Sequence, residues 1–250
     1  MFRKLTQEQE IRYHKNILLP GIGIEGQSKL LQSAVLLVGA GGLGSASAYY
    51  LAATGIGRLG VVDADTVDLS NLQRQILYRT SDIGQLKVES ARNSLVALNP
   101  DVKVEIVPER LTDNNAASLI AQYDLIVDCT DNFATRFLLN ETCVHLQKPF
   151  IHGGVSVFAG QVTTIVPGVG PCLRCIFPRD LESELPTHEE GILGAVPGVI
   201  GAIQAAEAVK FLLGFGDLLI GRLLTYDALS MTFREIPLQR SPYCPSCSNL

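Results

Sequence analysis

Val38–Gly44 reads VGAGGLG, between the apolar run AVLLV (Ala34–Val38) and the small-residue run that continues to Thr54. Gly39, Gly41 and Gly44 are spaced G-x-G-x-x-G, with Gly42 between them, and Asp63 ends the next apolar run, RLGVVD. Glycine lets a chain turn tightly and approach a phosphate closely, and the start of the following helix offers unpaired N–H groups worth about 0.3–1 kcal/mol to an anion. A strand, this turn, a helix and an acid about twenty residues on together predict a nucleotide site. A turn kept only for close packing is the competing reading.

Working outward, apolar runs rich in Val, Ile and Leu alternate with helix-like segments. AVLLVG, Leu43–Thr54, RLGVVD, Val88–Leu98, VKVEIV, DLIVDC, Arg136–Leu146 and PFIHGGV follow in that order. The rhythm is βαβ, and strands apolar on both faces predict a Rossmann-like α/β fold, a mostly parallel sheet with helices on both faces. Its ligand belongs at the carboxyl ends of the strands. After Val155 the pattern changes. GQVTTIV, RLLTYDAL and TFREIPL read as C-terminal strands that extend the sheet antiparallel, and Ile200–Leu213 reads as a helix. Gln7–Leu31 is predicted to form two helices. The acidic segment FPRDLESELPTHEEG, from Phe177, carries Pro178 and Pro186 and is expected to be a mobile crossing loop. We expect one unit over residues 1–250, divided into N-terminal helices (1–32), a nucleotide-binding half (33–154) and a later half (155–250).

Composition narrows the function. With 47% hydrophobic residues, 18% charged residues and 23 glycines, the 250-residue chain can bury a large core. A net charge of −5 argues against nucleic acid as a partner. Ala34–Gly57 and Gly191–Ala206 are free of charge, but the first is broken by glycines, serines and Thr54, so no membrane span is expected. MFRKLTQEQE lacks an apolar signal core, which makes the cytoplasm the default compartment. There, six cysteines are expected to be free, metal-bound or catalytic rather than paired as disulfides.

A nicotinamide dehydrogenase would need Asp63 and little else nearby. This chain continues with Asp65, Asp68, Asn71, Arg74 and Lys87, and a second cluster, DCTDN (Asp128–Asn132), follows the strand DLIV. Carboxylates for a ribose, donors for phosphates and cations where charge develops as pyrophosphate leaves are what a triphosphate needs. Asp131 suits magnesium, which takes one or two carboxylates plus phosphate oxygens. Asp68 is read as a solvated surface acid.

RYHKNILLPGIGIEGQSKL, VGAGGLG, DADTVDLSNLQRQ, GQLKVESA, DCTDN, GPCLRC and the closing CPSC occur in the order seen in the MoeB/ThiF/HesA adenylyltransferases, relatives of the ubiquitin-activating enzymes, and the chain resembles that family over almost its whole length. The resemblance implies homodimers that use ATP and magnesium to adenylate the C-terminal glycine of a small ubiquitin-like sulfur-carrier protein ending in Gly-Gly, before thiocarboxylate formation. By the same resemblance Asp63 and Asp65 are ribose and nucleotide-site acids, Asn71, Arg74 and Lys87 contact phosphates, and Asp131 is the magnesium-associated acid. Residues 155–250 become the carrier-binding and zinc half.

Two positions depart from the family pattern. Lys15, with Arg12 nearby, stands where relatives often have an arginine that reaches across the dimer; lysine keeps the charge and loses the planar fork. Thr187 stands where several relatives have a crossing-loop cysteine, and a hydroxyl without a base is a poor nucleophile. The expectation is an enzyme that stops at the acyl-adenylate, with sulfur brought by a separate donor protein. Cys129 and Cys143 read as packing residues and His188 as a solvated loop histidine. Cys172/Cys175 and Cys244/Cys247 are two C-x-x-C pairs that suit a closed, structural zinc site. An NAD-dependent oxidoreductase and an inactive carrier-binding homologue are the alternatives.

Overall fold

A computed structural model describes residues 4–177 and 191–250. Its core is an eight-stranded sheet in the order β3-β2-β1-β4-β5-β6-β7-β8. These strands are β1 (Ala34–Val38), β2 (Arg58–Val62), β3 (Lys103–Val107), β4 (Leu125–Asp128), β5 (Phe150–Ser156), β6 (Ala159–Ile165), β7 (Arg222–Asp227) and β8 (Thr232–Pro237). The first five pair in parallel and the last three are antiparallel, as the sequence predicts.

Helices among the described residues are α1 (Gln7–Arg12), α2 (His14–Ile17), α3 (Gly23–Leu30), α4 (Gly42–Thr54), α5 (Lys87–Leu98), α6 (Ala116–Ile120), α7 (Phe133–His145), α8 (Leu173–Ile176) and α9 (Ala195–Leu213). The N-terminal segment forms three helices rather than the two expected, because Tyr13 has a non-helical ψ of 12° and Gly21 and Gly23 take positive φ values of 88° and 60°. Helix α9 starts five residues earlier than its sequence reading, with Pro197 in its first turn, where a missing N–H costs nothing.

Alternation along β1 builds the two layers. Val35 and Leu37 face one apolar cluster with α4, α5 and α9, whereas Ala34, Leu36 and Val38 face another with α6, α7 and α8. Helix α9 is long and apolar enough to cross a membrane, yet half of its apolar window is buried, and it lies against α4, β5 and β6 as a core helix. Gly201 permits that closeness, since a Cβ there would meet the Leu43 carbonyl oxygen at 2.6 Å.

The chain winds from β1 to β2 and β3 on one side, then crosses to β4 and β5 on the other. That reversal opens a crevice at the carboxyl ends of β1 and β4, the place where doubly wound sheets bind ligands. Val62, Val38, Asp128 and His152 stand in one register row across β2, β1, β4 and β5.

Candidate nucleotide site and cysteine cluster

The four loop glycines divide by what surrounds them. Gly39 has φ 97°, and a Cβ there would lie 2.6 Å from the Cys129 carbonyl oxygen. A Cβ on Gly44 would be driven into the Gly39 carbonyl, and one on Gly42 would press on Pro197 of α9 at 3.0 Å. Only Gly41 has room, its nearest neighbour being Gln75 Nε2 at 3.9 Å. Three glycines therefore serve the fold, and Gly41 leaves space for a ligand.

Asp63 shapes the same loop. Its Oδ2 accepts the Ala40 N–H at 2.8 Å and its Oδ1 the Asp65 N–H at 2.9 Å. Tyr78 donates its hydroxyl to the Ala40 carbonyl at 2.6 Å. Burial, then the nearby charges of Asp63 and Asp65, pushes that phenol well above its ordinary range, so it stays a donor. Neither Tyr78 nor the buried Gln75, whose Oε1 has no partner, was assigned a role from sequence. Gln75 closes the stretch NLQRQ just before the apolar Ile76 and Leu77, which was the available signal.

Lys87 and Asp65 meet at 3.0 Å, and the lysine is buried. Asp68, exposed as expected, caps the short turn Leu69–Asn71 by accepting the Ser70 N–H at 2.8 Å; the Ser70 side chain, then that N–H, holds its carboxyl below the usual range. Asn71 returns the cap through Oδ1, accepting the Asp68 N–H at 3.1 Å. Arg74 donates one Nη to the Ser70 carbonyl at 3.1 Å, and its stem lies 3.6 Å from where a Gly42 Cβ would be. Asn71, Arg74, Lys87, Asp65 and the glycine loop thus gather at one edge.

The turn after β4 closes that edge. Cys129 N–H donates to the Val38 carbonyl at 2.9 Å, and the Cys129–Thr130 backbone lies over Gly39. Asp131 is exposed, touched by Asn132 Nδ2 at 3.3 Å, while Asn132 caps α7 by accepting the Thr135 N–H. Behind them lies a buried pair that the sequence reading passed over: Asp128 Oδ2 and His152 Nδ1, 2.7 Å apart. Cys129 and Cys143 are buried, as expected of packing residues, and burial raises both thiols far above their ordinary range.

Lys15 is not part of this gathering. Asn16 beside it donates to the Thr54 carbonyl, at the carboxyl end of α4, whereas the glycine loop is at the amino end. Thirteen helical residues span about 20 Å. Lys15 is exposed, whereas Arg12 is engaged with Asp101 and the Leu98 carbonyl. Thr187, His188 and the acidic crossing segment lie outside the described residues.

In the apolar cluster that α7 and α8 share, the two C-x-x-C pairs converge. Their four sulfurs lie within 4.8 Å of one another, with Cys172–Cys244 and Cys175–Cys247 both at 3.5 Å and Cys172–Cys175 at 4.0 Å. A tetrahedral ion with bonds of about 2.3 Å needs sulfurs about 3.8 Å apart, so the set fits a closed four-thiolate site. All six cysteines are free of disulfides.

The chain was compared with known proteins. The ThiF family model matches residues 13–246. A Thermus thermophilus protein named sulfur carrier protein adenylyltransferase is 47% identical over 98% of this chain and 93% of its own length. The SAMP-activating enzyme E1 of Haloferax volcanii is 47% identical over 99% of this chain and 92% of its own. The Drosophila yakuba protein named adenylyltransferase and sulfurtransferase MOCS3 is 46% identical, and this chain spans 55% of its length. Among solved structures, E. coli MccB with MccA-N7isoASN superposes with a TM-score of 0.84 at 24% identity, over 96% of this chain and 75% of that one, which shows the shared Rossmann-type fold. The motifs quoted from the sequence, the crevice they build and the family match across residues 13–246 have one conclusion: the chain belongs to the ThiF family.

Proposed function

We propose that this protein is an adenylyltransferase that activates the C-terminal glycine carboxylate of a small ubiquitin-like sulfur carrier with ATP. The relatives at 47% identity, named for that activity, support the reading. The observation that carries it is the convergence of the glycine loop, the Asp65–Lys87 pair, Arg74 and the Asp131 turn on the crevice between β1 and β4. A dehydrogenase leaves most of these groups without a task.

Gly41 and the N–H groups at the start of α4 receive the phosphates, and Asp63 and Asp65 face the ribose side. Arg74, Lys87 and the Asn71 amide neutralise and orient the phosphates. A carboxylate oxygen of the carrier attacks the α-phosphorus, the bond to the bridging oxygen breaks, and pyrophosphate leaves. The nucleophile is already ionised, so no base is required and positioning supplies most of the acceleration. Magnesium, held by Asp131, would spread the charge of the leaving pyrophosphate.

The same reading makes the protein a homodimer in which Lys15 serves the partner's site, since it lies too far from its own. Exposed Ile11, Leu18, Leu19 and Ile24 in the N-terminal segment suit burial there. The carrier docks on the later half, where edge strand β8 exposes Phe233 and Ile236. Zinc occupies the four-cysteine cluster and ties the tail to α7 and α8. The protein works in a reducing, cytoplasmic compartment, as its free thiols suit, and sulfur reaches the acyl-adenylate from a separate donor protein. ATP–pyrophosphate exchange with a panel of Gly-Gly carriers, with Asp131→Ala as control, tests this. Exchange that requires one carrier and disappears in the control supports adenylation; ATP binding without exchange on any carrier points to an inactive carrier-binding homologue.

A further inference from the structure

We propose that His152 is a positioning residue for this reaction: its ring, acting through Asp128, holds the Thr130–Asp131 turn in the shape the nucleotide site uses. The inference rests on the function proposed above and adds a residue to the same site.

His152 and Asp128 are register partners on β5 and β4, both fully buried on the α7 face of the sheet. Nδ1 of the ring lies 2.7 Å from Asp128 Oδ2. The other carboxylate oxygen accepts the Thr130 N–H at 3.1 Å and the Thr130 hydroxyl at 2.7 Å. Arg136 of α7 donates to the Thr130 carbonyl at 2.8 Å. Every polar group of Thr130 is thereby fixed, and Asp131 is the next residue.

Burial pushes His152 below its ordinary range, against the pull of Asp128, and the Arg136 charge adds to that effect, so the ring is neutral. Asp128 stays ionised although burial opposes it, because His152 and then Arg136 and Thr130 favour the carboxylate. An ionised carboxylate at Nδ1 puts the ring's proton there, which makes the ring a donor. Without that donor, Oδ2 is a buried charge with nothing to hold it. The carboxylate then turns toward another donor or takes up a proton, and either change releases Thr130. His152 is not a proton shuttle: Nε2 is buried without a partner, and the Phe177 ring lies edge-on, 5.9 Å between centroids.

The test is ATP–pyrophosphate exchange by the full-length protein with its carrier, measured against magnesium and ATP concentration, with thermal unfolding of each variant. His152→Leu fills the volume without a donor; His152→Asn keeps an N–H close to the Nδ1 position. His152→Leu is expected to lower kcat about 10–100-fold and to raise the half-saturating magnesium about tenfold, with an ATP KM within about threefold of normal. His152→Asn is expected to restore most of both. Thr130→Val, which removes the hydroxyl bond on the other side of Asp128, should reproduce the magnesium shift and decides the matter if His152→Leu does not fold. Wild-type kcat and magnesium dependence in His152→Leu, or in Thr130→Val where it stands in, overturns the proposal, as does His152→Asn as impaired as His152→Leu. Wild-type protein without exchange on any carrier overturns the function itself, and this role with it.

Discussion

Lys87 is bound to Asp65 twice: its ammonium lies 3.0 Å from Oδ2, and its backbone N–H lies 2.9 Å from the Asp65 carbonyl. Lys87 is also the first residue of α5, where the helix dipole disfavours a cation, and it is buried. The pair thus holds a desolvated ammonium in place, with Asp65 as its partner.

Removing either partner should separate function from stability. Lys87→Met is expected to fold normally and to lose about 10²-fold or more in exchange, since a phosphate-directed charge is gone. Asp65→Ala strands the buried ammonium and should lower stability by about 1–3 kcal/mol. Denaturant unfolding of both variants, read beside exchange, checks this; equal stability loss in the two would contradict it.

The loop glycines predict a contrast inside one motif. Gly44→Ala has nowhere to put its methyl group and is expected to cost several degrees in Tm. Gly41→Ala has φ −75° and open space, so its Tm should stay near wild type while ATP affinity falls, the methyl standing where a phosphate approaches.

Zinc analysis should find one ion per chain, lost on Cys247→Ser. Hydrogen exchange is then expected to rise first in the tail from Arg240 and in α8, because Cys172 caps that helix, Cys175 lies within it, and Cys244 and Cys247 anchor the tail. The glycine loop makes no hydrogen bond to the cluster or the tail among the described residues and should keep its protection. Early loosening of the glycine loop would show that the cluster supports the site directly.

Lys15→Ala and Asp131→Ala should each be inactive alone and active when mixed. In a mixed dimer one site regains an intact Asp131 and the partner's intact Lys15, so up to one site in two works. A Lys15 that served its own subunit would give no recovery, and size-exclusion chromatography confirms that mixed dimers formed.

Acid should weaken the β3 edge as Glu105 takes up its proton. The Lys103 ammonium, 2.6 Å away, holds Glu105 at a pKa of about 2 against partial burial, with Arg58 and the Tyr123 hydroxyl assisting. A depressed carboxyl contributes stability that is present above its unfolded value, about 4.3, and is lost as pH falls toward 2. Glu105→Gln should therefore lower stability at pH 7, by no more than about 1 kcal/mol given its solvent exposure, and make no difference near pH 2. Thermal melts across that window give the comparison.

The local chemistry of this protein was written in its sequence. The period of the apolar runs specified strands buried on both faces, Gly39 specified a turn that other residues rarely adopt, and the acids and cations pointed to a phosphate ligand, because each depends on neighbours within one or two elements. The C-x-x-C pairs suggested a metal site, and the fold brings their sulfurs together although 72 residues separate those that touch. Tertiary structure alone decided the rest. Lys15 fell on the wrong end of α4 for its own site, a fact set by helix length and by what Asn16 binds. Gly41 separated from its three neighbours only once Cys129, Pro197 and Gly39 packed around them. His152 looked like a polar interruption in PFIHGGV until parallel pairing brought it beside Asp128, since register between strands is a property of the sheet and no stretch of chain carries it alone.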